Sequence, residues 1–284
     1  CNYACRFCFH TDLQADKGVV PLAEAKRALE LLKAAGMEKI NFSGGEPLLQ
    51  PKWLGALCRF AKVELGLFVT IVTNGSKLTE PWLAEFGEFI DMIAVSCDSA
   101  DNDTNIHIGR DTKGDHVQIV KRAAMLIKAH GIRFKLNTTV TSASVAEDMN
   151  AFITELAPER WKVFQVLPIE GENVHGSNGR ECSDLWITEE EYKGFIDRHR
   201  VAQKGRLVVE DNDTMRTSYL ILDERLRFLN CRDEGKVPSR SVLEVGVQQA
   251  LEESSFFDEE AFERRQGDFY RRSAAASQPT GCAA

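Results

Sequence analysis

The first eight residues of the chain carry three cysteine thiols, Cys1, Cys5 and Cys8, in the spacing C-x3-C-x2-C. Structural zinc sites use four protein ligands, and iron–sulfur clusters are also commonly held by four cysteines. A compact group of three thiols therefore leaves one metal coordination position for a ligand that is not a protein side chain. The spacing alone also fits ordinary thiols or one half of a zinc knuckle.

A second motif, Ser43-Gly44-Gly45-Glu46-Pro47, directly follows a run in which apolar and polar residues alternate as in a strand. Two adjacent glycines let the backbone approach a ligand closely, because they carry no side chain. Glu46 would add a carboxylate acceptor beside them. A glycine pair after a strand is more often just a turn, so this motif gains meaning only together with the three thiols.

Four basic residues lie in strand-like runs, where their orientation can be deduced: Lys39, Lys135, Arg160 and Lys162. Lys135 and Lys162 each stand between two apolar residues, and because side chains alternate along a strand, the lysines face away from the apolar layer. Isolated buried cations cost on the order of several kcal/mol each unless they are paired. One lysine could snorkel to a strand end, but four cations in one orientation predict an anion site, and phosphates fit it.

These side chains must be positioned by helices and strands that alternate along the chain. Apolar residues recur at helical spacing between Pro21 and Gly36, and a strand-like run follows. Five such helix-then-strand units predict a parallel sheet with right-handed crossovers. The helices are expected near residues 21–36, 51–65, 79–88, 115–130 and 145–156, and the strands near residues 38–43, 67–73, 91–97, 132–140 and 161–168.

Each predicted strand has one apolar face and one polar or small face. A doubly wound sheet is buried on both faces, so this pattern favours an α/β fold with a partial (βα)6 barrel whose polar faces line a common cavity. The first strand of that barrel is expected upstream of Cys1. We therefore expect a barrel core over residues 1–170, a C-terminal α/β extension over residues 171–272 that closes the barrel, and a disordered tail over residues 273–284.

Within the extension, a helix is expected to begin at Thr188, with Glu191 completing its cap. Short strands are expected near residues 206–210 and 218–222, after a turn-rich loop at residues 171–179.

The composition is that of an ordinary globular protein, with 43% hydrophobic and 27% charged residues. A formal net charge of -8 at pH 7 argues against general nucleic-acid binding, which relies on an excess of lysine and arginine. No apolar run reaches the roughly 18 residues of a membrane span. Eight cysteines in 284 residues are too sparse for a secreted disulfide scaffold, so we expect a reducing compartment. Since the chain begins on an expected metal ligand, we expect a trimmed fragment.

The three-cysteine loop and the Gly-Gly-Glu motif together resemble the radical S-adenosylmethionine (radical SAM) enzymes. In that family three thiolates hold a [4Fe–4S] cluster, and S-adenosylmethionine chelates the remaining iron. The resemblance implies that Cys1, Cys5 and Cys8 are the cluster ligands. It implies the following S-adenosylmethionine contacts: Phe9, Gly44, Gly45, Glu46, Asn74, Ser96 and Glu170. Without the resemblance, Asn74 and Ser96 would be interpreted as capping or turn residues.

Further blocks, between Cys1 and about Val247, resemble the viperin-like family of radical SAM enzymes; they include EKINFSGGEP, RWKVFQ, IEGEN, SYLILDE and RFLNC. The resemblance implies that a 5'-deoxyadenosyl radical abstracts the ribose 4'-hydrogen of a nucleoside triphosphate, classically CTP. Loss of the 3'-hydroxyl then gives the 3'-deoxy-3',4'-didehydro nucleotide, an antiviral chain terminator. The implied nucleotide contacts are Lys39, Arg110, Lys135, Asn137, Arg160 and Lys162. Tyr219 would deliver a hydrogen or proton late in turnover.

The resemblance also implies an external one-electron reductant and a contact with the iron–sulfur assembly machinery. Animal members of the family have an N-terminal amphipathic helix for membrane association and a C-terminal tryptophan tail for that machinery, and neither is seen in residues 1–284. We therefore expect a cytoplasmic protein without membrane contact. Three alternatives stay open: UTP as the preferred substrate, another phosphorylated small molecule, or a non-catalytic scaffold with the same fold.

Overall fold

The computed structural model is an α/β fold built around a six-stranded parallel sheet, whose strands lie side by side in chain order. The strands are β1 (Lys39–Phe42), β2 (Phe68–Thr73), β3 (Met92–Ser96), β4 (Arg133–Val140), β5 (Arg160–Gln165) and β6 (Leu207–Glu210). The structure describes residues 1–8, 19–111, 113–169, 173–175, 180–230, 237–254, 258–264 and 267. The expected tail over residues 273–284 lies outside these ranges.

Helices precede, connect and follow the strands, although the helical spacing of apolar residues predicts only part of the set. They are α1 (Leu22–Ala34), α2 (Pro51–Arg59), α3 (Glu80–Phe86), α4 (Asn102–His107), α5 (His116–Ala129), α6 (Asn150–Leu156), α7 (Glu189–Arg200), α8 (Asn212–Thr217), α9 (Val242–Val245), α10 (Val247–Ser254) and α11 (Glu259–Arg264). A π-helical turn over Phe60–Glu64 extends α2. The predicted capping box of Thr188 and Glu191 is formed at the start of α7. None of the helices in the described ranges is long and apolar enough to cross a membrane.

The sheet separates an apolar core from a polar interior. Ile71, Ile93, Leu136 and Trp161, on four neighbouring strands, are fully buried in the core that the sheet forms with the helices. Because side chains alternate along a strand, the intervening residues face the other side, where the sequence places its polar and small residues. The two-faced strands of a partial barrel are thus confirmed.

The strand expected upstream of Cys1 lies outside residues 1–284 and stays a prediction. The sheet nevertheless has a sixth strand. In the structure it is β6, from a segment assigned to the C-terminal extension, and it pairs with β5 in parallel register. A strand of only four residues carries too little periodicity to reveal which sheet it joins. The edge of the sheet beside β5 is therefore built by the extension.

The rest of the extension forms a small antiparallel sheet of β7 (Ile221–Leu222), β8 (Arg227–Leu229) and β9 (Pro238–Ser241). Phe228, Val242 and Ala250 of this region form one apolar cluster with Ala28 of α1. This part therefore packs on the outer helical layer, and closure of the barrel by the rest of the extension stays a prediction.

Candidate active site

The cysteine loop, defined here as residues 1–8, lies against the segment that follows α4. The backbone N–H of Ala4 donates to the carbonyl oxygen of Gly109 at 3.2 Å, and that of Arg6 donates to the carbonyl oxygen of Ile108 at 3.0 Å. Gly109 has a φ of +77°, in the left-handed region that favours glycine. The backbone of this segment therefore supports the loop, a role that the sequence interpretation missed.

The glycine pair after β1 contacts the start of the same loop. Gly44 has a φ of +95°. A Cβ atom on Gly45 would lie 2.8 Å from the backbone nitrogen of Cys1, so a side chain there would displace Cys1. The structure thus brings the two motifs of the sequence together at the carboxyl edge of the sheet, where open α/β sheets bind ligands.

The carboxylate of Glu46 points into the protein, and the residue is 4% exposed. It accepts hydrogen bonds from the Thr73 hydroxyl at 2.7 Å, the Asn74 backbone N–H at 2.7 Å and the Leu48 backbone N–H at 3.1 Å. Burial raises the pKa of Glu46, and these three hydrogen bonds offset only part of that effect. Glu46 therefore ties the turn after β1 to the end of β2, with its acceptor atoms occupied by protein donors.

Asn74 links the end of β2 to the cysteine loop. Its Nδ2 donates to Oδ1 of Asn2 at 3.0 Å, and its own Oδ1 accepts from the backbone N–H of Ser76 at 2.9 Å. The second bond is the turn-forming contact that residue type alone predicts. The first bond shows that Asn74 also fixes the position of the loop.

Ser96 links the end of β3 to the same loop through His116. The Ser96 carbonyl oxygen accepts from Nε2 of His116 at 2.9 Å, and the other ring nitrogen lies 3.4 Å from the Tyr3 hydroxyl. Burial lowers the pKa of His116 to about 4, and Arg110 acts in the same direction. The ring is therefore neutral at physiological pH, and its one N–H is directed to the end of β3.

The three thiols differ in exposure: Cys1 is exposed, Cys8 is half-buried and Cys5 is buried. Burial raises the pKa of Cys5 to about 11, against the opposing effect of Arg110. In the described ranges, no group of three or more His, Cys, Asp or Glu side chains is arranged to hold a single metal ion. A [4Fe–4S] cluster requires a different arrangement, because each thiolate binds its own iron atom. Three thiols on one short loop fit that donor set.

Arg110 lies close to the thiols of Cys5 and Cys8. Its guanidinium pairs with the buried Asp98 and its carbon Cζ lies 5.4 Å from the Phe7 ring centroid. Burial acts to lower the pKa of Arg110, but Asp98 and Cys5 act more strongly together and raise it. The structure therefore shows Arg110 next to the cysteine loop, and its assignment to the nucleotide stays a prediction.

Three of the interior cations and Asn137 occupy two adjacent rows across the sheet. Lys135 is the register partner of Arg160, and in the next row Asn137 is the partner of both Ser96 and Lys162. The rows are two residues apart along each strand, or about 7 Å. The second row lies nearer the carboxyl edge and hence nearer the cysteine loop.

Lys135 is repelled by the other cations of this group. Its pKa lies well below its usual value, first because of burial and then because of Lys162 and Lys39, while Arg160 acts in the same direction and Glu210 opposes them. The structure therefore brings the four predicted cations close enough to repel one another. A multiply charged anion between them would relieve both the repulsion and the desolvation.

Asn137 adds an uncharged polar group to the interior. The Oδ1 atom of Asn137 is buried and has no hydrogen-bond partner among the described residues, which is costly unless a ligand donates to it. Phe9 and Glu170, which the resemblance assigned to the cofactor, lie outside the described residues.

The sequence interpretation missed one carboxylate at this site, that of Glu210. It is fully buried and pairs with the Lys162 ammonium. The Tyr219 hydroxyl donates to it at 2.5 Å and accepts from Lys162 Nζ at 2.8 Å. Its position on β6 hid it, because that strand was not expected in the sheet.

Comparison with known proteins gives matches along nearly the whole chain. The sequence profile of the Radical SAM superfamily matches residues 1–155. The chain is 45% identical over 273 residues to the "S-adenosylmethionine-dependent nucleotide dehydratase RSAD2" of Oncorhynchus mykiss, covering 95% of this chain and 77% of that protein. It is 36% identical over 272 residues to the "S-adenosylmethionine-dependent nucleotide dehydratase" of Flammeovirga pacifica, covering 93% and 91%.

Solved structures share the fold at low sequence identity. The chain superposes with a TM-score of 0.66 on anSMEcpe with bound AdoMet, at 16% identity over 89% of this chain and 74% of that one. For Streptococcus suis SuiB bound to S-adenosylmethionine the TM-score is 0.63, at 16% identity over 84% and 60%. These likenesses show the partial-barrel fold that the strand pattern predicts.

Proposed function

Because the chain belongs to the radical SAM superfamily, and within it to the viperin-like S-adenosylmethionine-dependent nucleotide dehydratases, we propose that it removes water from the ribose of a nucleoside triphosphate. The preferred substrate is CTP, and the product is its 3'-deoxy-3',4'-didehydro form. The observation that carries this proposal is the interior group of cations around Lys135, whose pKa is lowered by burial and by Lys162 and Lys39.

The family's cofactors are S-adenosylmethionine and a [4Fe–4S] cluster. Cys1, Cys5 and Cys8 would hold the cluster, since soft thiolates are the ligands that iron–sulfur centres select. When both cofactors are bound, they supply a carbon radical that removes one hydrogen atom from the substrate. The exposed backbone of Gly44 and Gly45 allows the cofactor's methionine part to approach the turn after β1 closely.

The triphosphate binds to the row of cations farther from the cysteine loop. Arg160 and Lys135 are neighbours across β4 and β5, so an arginine fork and a lysine point charge can bind one phosphate chain from the same side. The ribose then lies one row nearer the carboxyl edge, where Oδ1 of Asn137 can accept from a ribose hydroxyl. Positioning of C4' near the radical is the chain's main contribution to the rate.

The atoms balance without a further co-substrate apart from the reductant. Removal of the C4' hydrogen leaves a carbon radical on the ribose. The 3'-hydroxyl then leaves with a proton as water, and one electron from the external reductant completes the C3'–C4' double bond. Tyr219, whose hydroxyl lies 2.8 Å from Lys162 Nζ, supplies the proton with which the 3'-hydroxyl leaves as water.

The test is turnover by the reconstituted protein under anaerobic conditions with S-adenosylmethionine, reductant and each of the four common nucleoside triphosphates in turn. We expect CTP to stimulate 5'-deoxyadenosine formation most and to yield a nucleotide lighter by one water. CTP with deuterium at C4' should transfer that deuterium to 5'-deoxyadenosine, whereas deuterium at C3' should not. If no triphosphate stimulates the reaction, the proposal fails; a stronger response to UTP would change only the base.

Lys162→Ala tests the binding site at residue level. We expect CTP to stimulate 5'-deoxyadenosine formation less in this variant than in the wild type. The visible absorbance of the cluster should be unchanged, because the lysine lies in the sheet interior and not in the cysteine loop. Lys193→Ala, at an exposed position of α7, is the matched control and should behave as the wild type. Loss of the cluster in Lys162→Ala would instead mean that the lysine is structural.

A further inference from the structure

Glu210 is the last residue of β6, and none of its surface is exposed. Its register partner on β5 is Phe164, so its side chain lies on the interior side of the sheet, as does that of Lys162 two residues earlier on β5. The Lys162 ammonium pairs with the Glu210 carboxylate. A negative charge is therefore built into the group of cations that the proposed function assigns to a triphosphate.

The same carboxylate holds a residue from outside the sheet. Tyr219 lies between α8 and β7, and its hydroxyl donates to Oε2 of Glu210 at 2.5 Å and accepts from Lys162 Nζ at 2.8 Å. The Lys162 ammonium also lies 5.3 Å from the centroid of the Tyr219 ring. Glu210 thus fixes the position of the tyrosine relative to the interior.

Stability alone does not account for this arrangement. Apolar residues of similar volume in place of a buried ion pair are often neutral or stabilising, whereas removal of one partner leaves an uncompensated charge. The physical role of Glu210 is therefore in the geometry it imposes on Lys162 and Tyr219, whose polar atoms it holds within hydrogen-bond distance of each other.

We propose that Glu210 is a positioning residue for the late step of the dehydration, an inference that rests on the proposed function. Its carboxylate holds the Tyr219 hydroxyl at the nucleotide site and offsets part of the charge of Lys162, which therefore attracts the triphosphate less strongly than the other cations do. Removal of this negative charge has two opposite consequences. Lys162 becomes free to attract the triphosphate, so the KM for the nucleotide does not rise, while the released Tyr219 no longer serves the late step.

The decisive variant is Glu210→Gln in the cluster-loaded protein. We expect a KM for CTP at or below the wild-type value and a ratio of dehydrated nucleotide to 5'-deoxyadenosine that is about tenfold lower, the effect of losing one charge-assisted hydrogen bond. Tyr219→Phe should lower the ratio to a similar extent. The double variant should show no further fall, because Glu210 acts through Tyr219 and the two losses are then not additive.

Asp223→Asn is the matched control. Asp223 is also a buried carboxylate in an ion pair, with Arg227, but it belongs to the small antiparallel sheet region. The KM for CTP and the product ratio of Asp223→Asn should equal those of the wild type. The proposal is overturned if Glu210→Gln raises the KM and leaves the ratio unchanged, or if the effects of Glu210→Gln and Tyr219→Phe add in full.

If Glu210→Gln does not fold, Glu210→Asp carries the test, because it keeps the charge but withdraws the carboxylate by one methylene group. A lower product ratio with an unchanged KM supports the proposal, and a wild-type ratio overturns it. Failure of the proposed function has a different signature: the wild-type protein then forms no additional 5'-deoxyadenosine with any nucleoside triphosphate, and both proposals fall.

Discussion

A Cβ atom on Gly109 would lie 2.3 Å from the carbonyl oxygen of Ala4. The same atom would lie 3.3 Å from the Cα of Cys5, so both contacts are with the backbone of the cysteine loop. A backbone cannot make room as a flexible side chain does, and the loop would have to shift as a whole. The placement of the thiols therefore depends on the absence of a side chain at Gly109.

We expect Gly109→Ala to bind its cluster at least about tenfold more weakly, a loss typical of changes to groups that orient metal ligands. Iron and sulfide content after reconstitution with limiting iron measures this. Gly205→Ala is the matched control, because Gly205 also has a positive φ, +92°, but a Cβ there would meet nothing within 4 Å. Equal iron content in the two variants would contradict the supporting role of Gly109.

His116 is expected to make stability depend on pH. Burial lowers its pKa from 6.5 to about 4 in the folded chain, so as the pH falls the unfolded state binds the proton first. The contribution of the neutral ring to the free energy of unfolding is therefore fully present above pH 6.5. It is lost as the pH falls towards 4, and this loss is about 3 kcal/mol at most. Urea unfolding of the metal-free protein at pH 7 and pH 5 measures the difference.

The variant His116→Gln should show a smaller fall in unfolding free energy between these pH values than the wild type does. His107→Gln, at an exposed position near the end of α4, is the control. Its free energy of unfolding should fall between these pH values by as much as that of the wild type. A wild-type pH dependence in His116→Gln would show that the ring does not titrate between its ordinary pKa and its folded value.

Lys135 is expected to lower the stability of the ligand-free protein and to raise its affinity for the nucleotide. Its lowered pKa, caused by burial and by Lys162 and Lys39, means that its charge opposes folding when no anion is present. Lys135→Met should therefore raise the urea midpoint, while it weakens nucleotide binding by roughly tenfold, the effect of one charged hydrogen bond. Lys193→Met provides the exposed control, and titration calorimetry with CTP gives the affinity. A variant that loses both stability and affinity would assign Lys135 a structural role.

The orientation of Lys135 and Lys162 could be predicted from sequence because it depends on local alternation. Each lysine stands between two apolar residues, and the strand pleat then fixes the side it faces. The helix-then-strand units were predictable for the same reason, since periodicity over ten or more residues is a local signal. Elements with that signal, such as α1 and β4, lie where the sequence predicts.

What could not be predicted depends on contacts between distant segments. Glu210 lies on a strand of four residues, and only its pairing with β5 brings it to Lys162. The helix α4 was missed because its residues are mostly polar, although Asp101 caps it by accepting from the backbone N–H of Thr104 at 2.8 Å. The direction of the Glu46 carboxylate was also hidden, since the motif does not reveal that Thr73 and Asn74 would donate to it.

Arg110 pairs with the buried Asp98, so the effect of its charge on stability can be separated from its effect on ligand binding. Arg110→Met would leave the Asp98 carboxylate buried without its cation, which typically destabilises a protein by about 3–5 kcal/mol. Asp98→Asn combined with Arg110→Met should recover much of that loss, because no buried charge then remains unpaired. Thermal unfolding of the two variants gives the comparison.

The double variant also decides which ligand Arg110 serves. The guanidinium of Arg110 packs on Phe7 of the cysteine loop, one residue from Cys8. The cations that lower the pKa of Lys135 lie on β1 and β5. The affinity for CTP should therefore change by less than about twofold, well under the tenfold effect of losing a charged hydrogen bond, while cluster retention falls. A loss of CTP affinity as large as that in Lys135→Met would place Arg110 with the triphosphate after all, because charge on the cysteine loop alone cannot account for it.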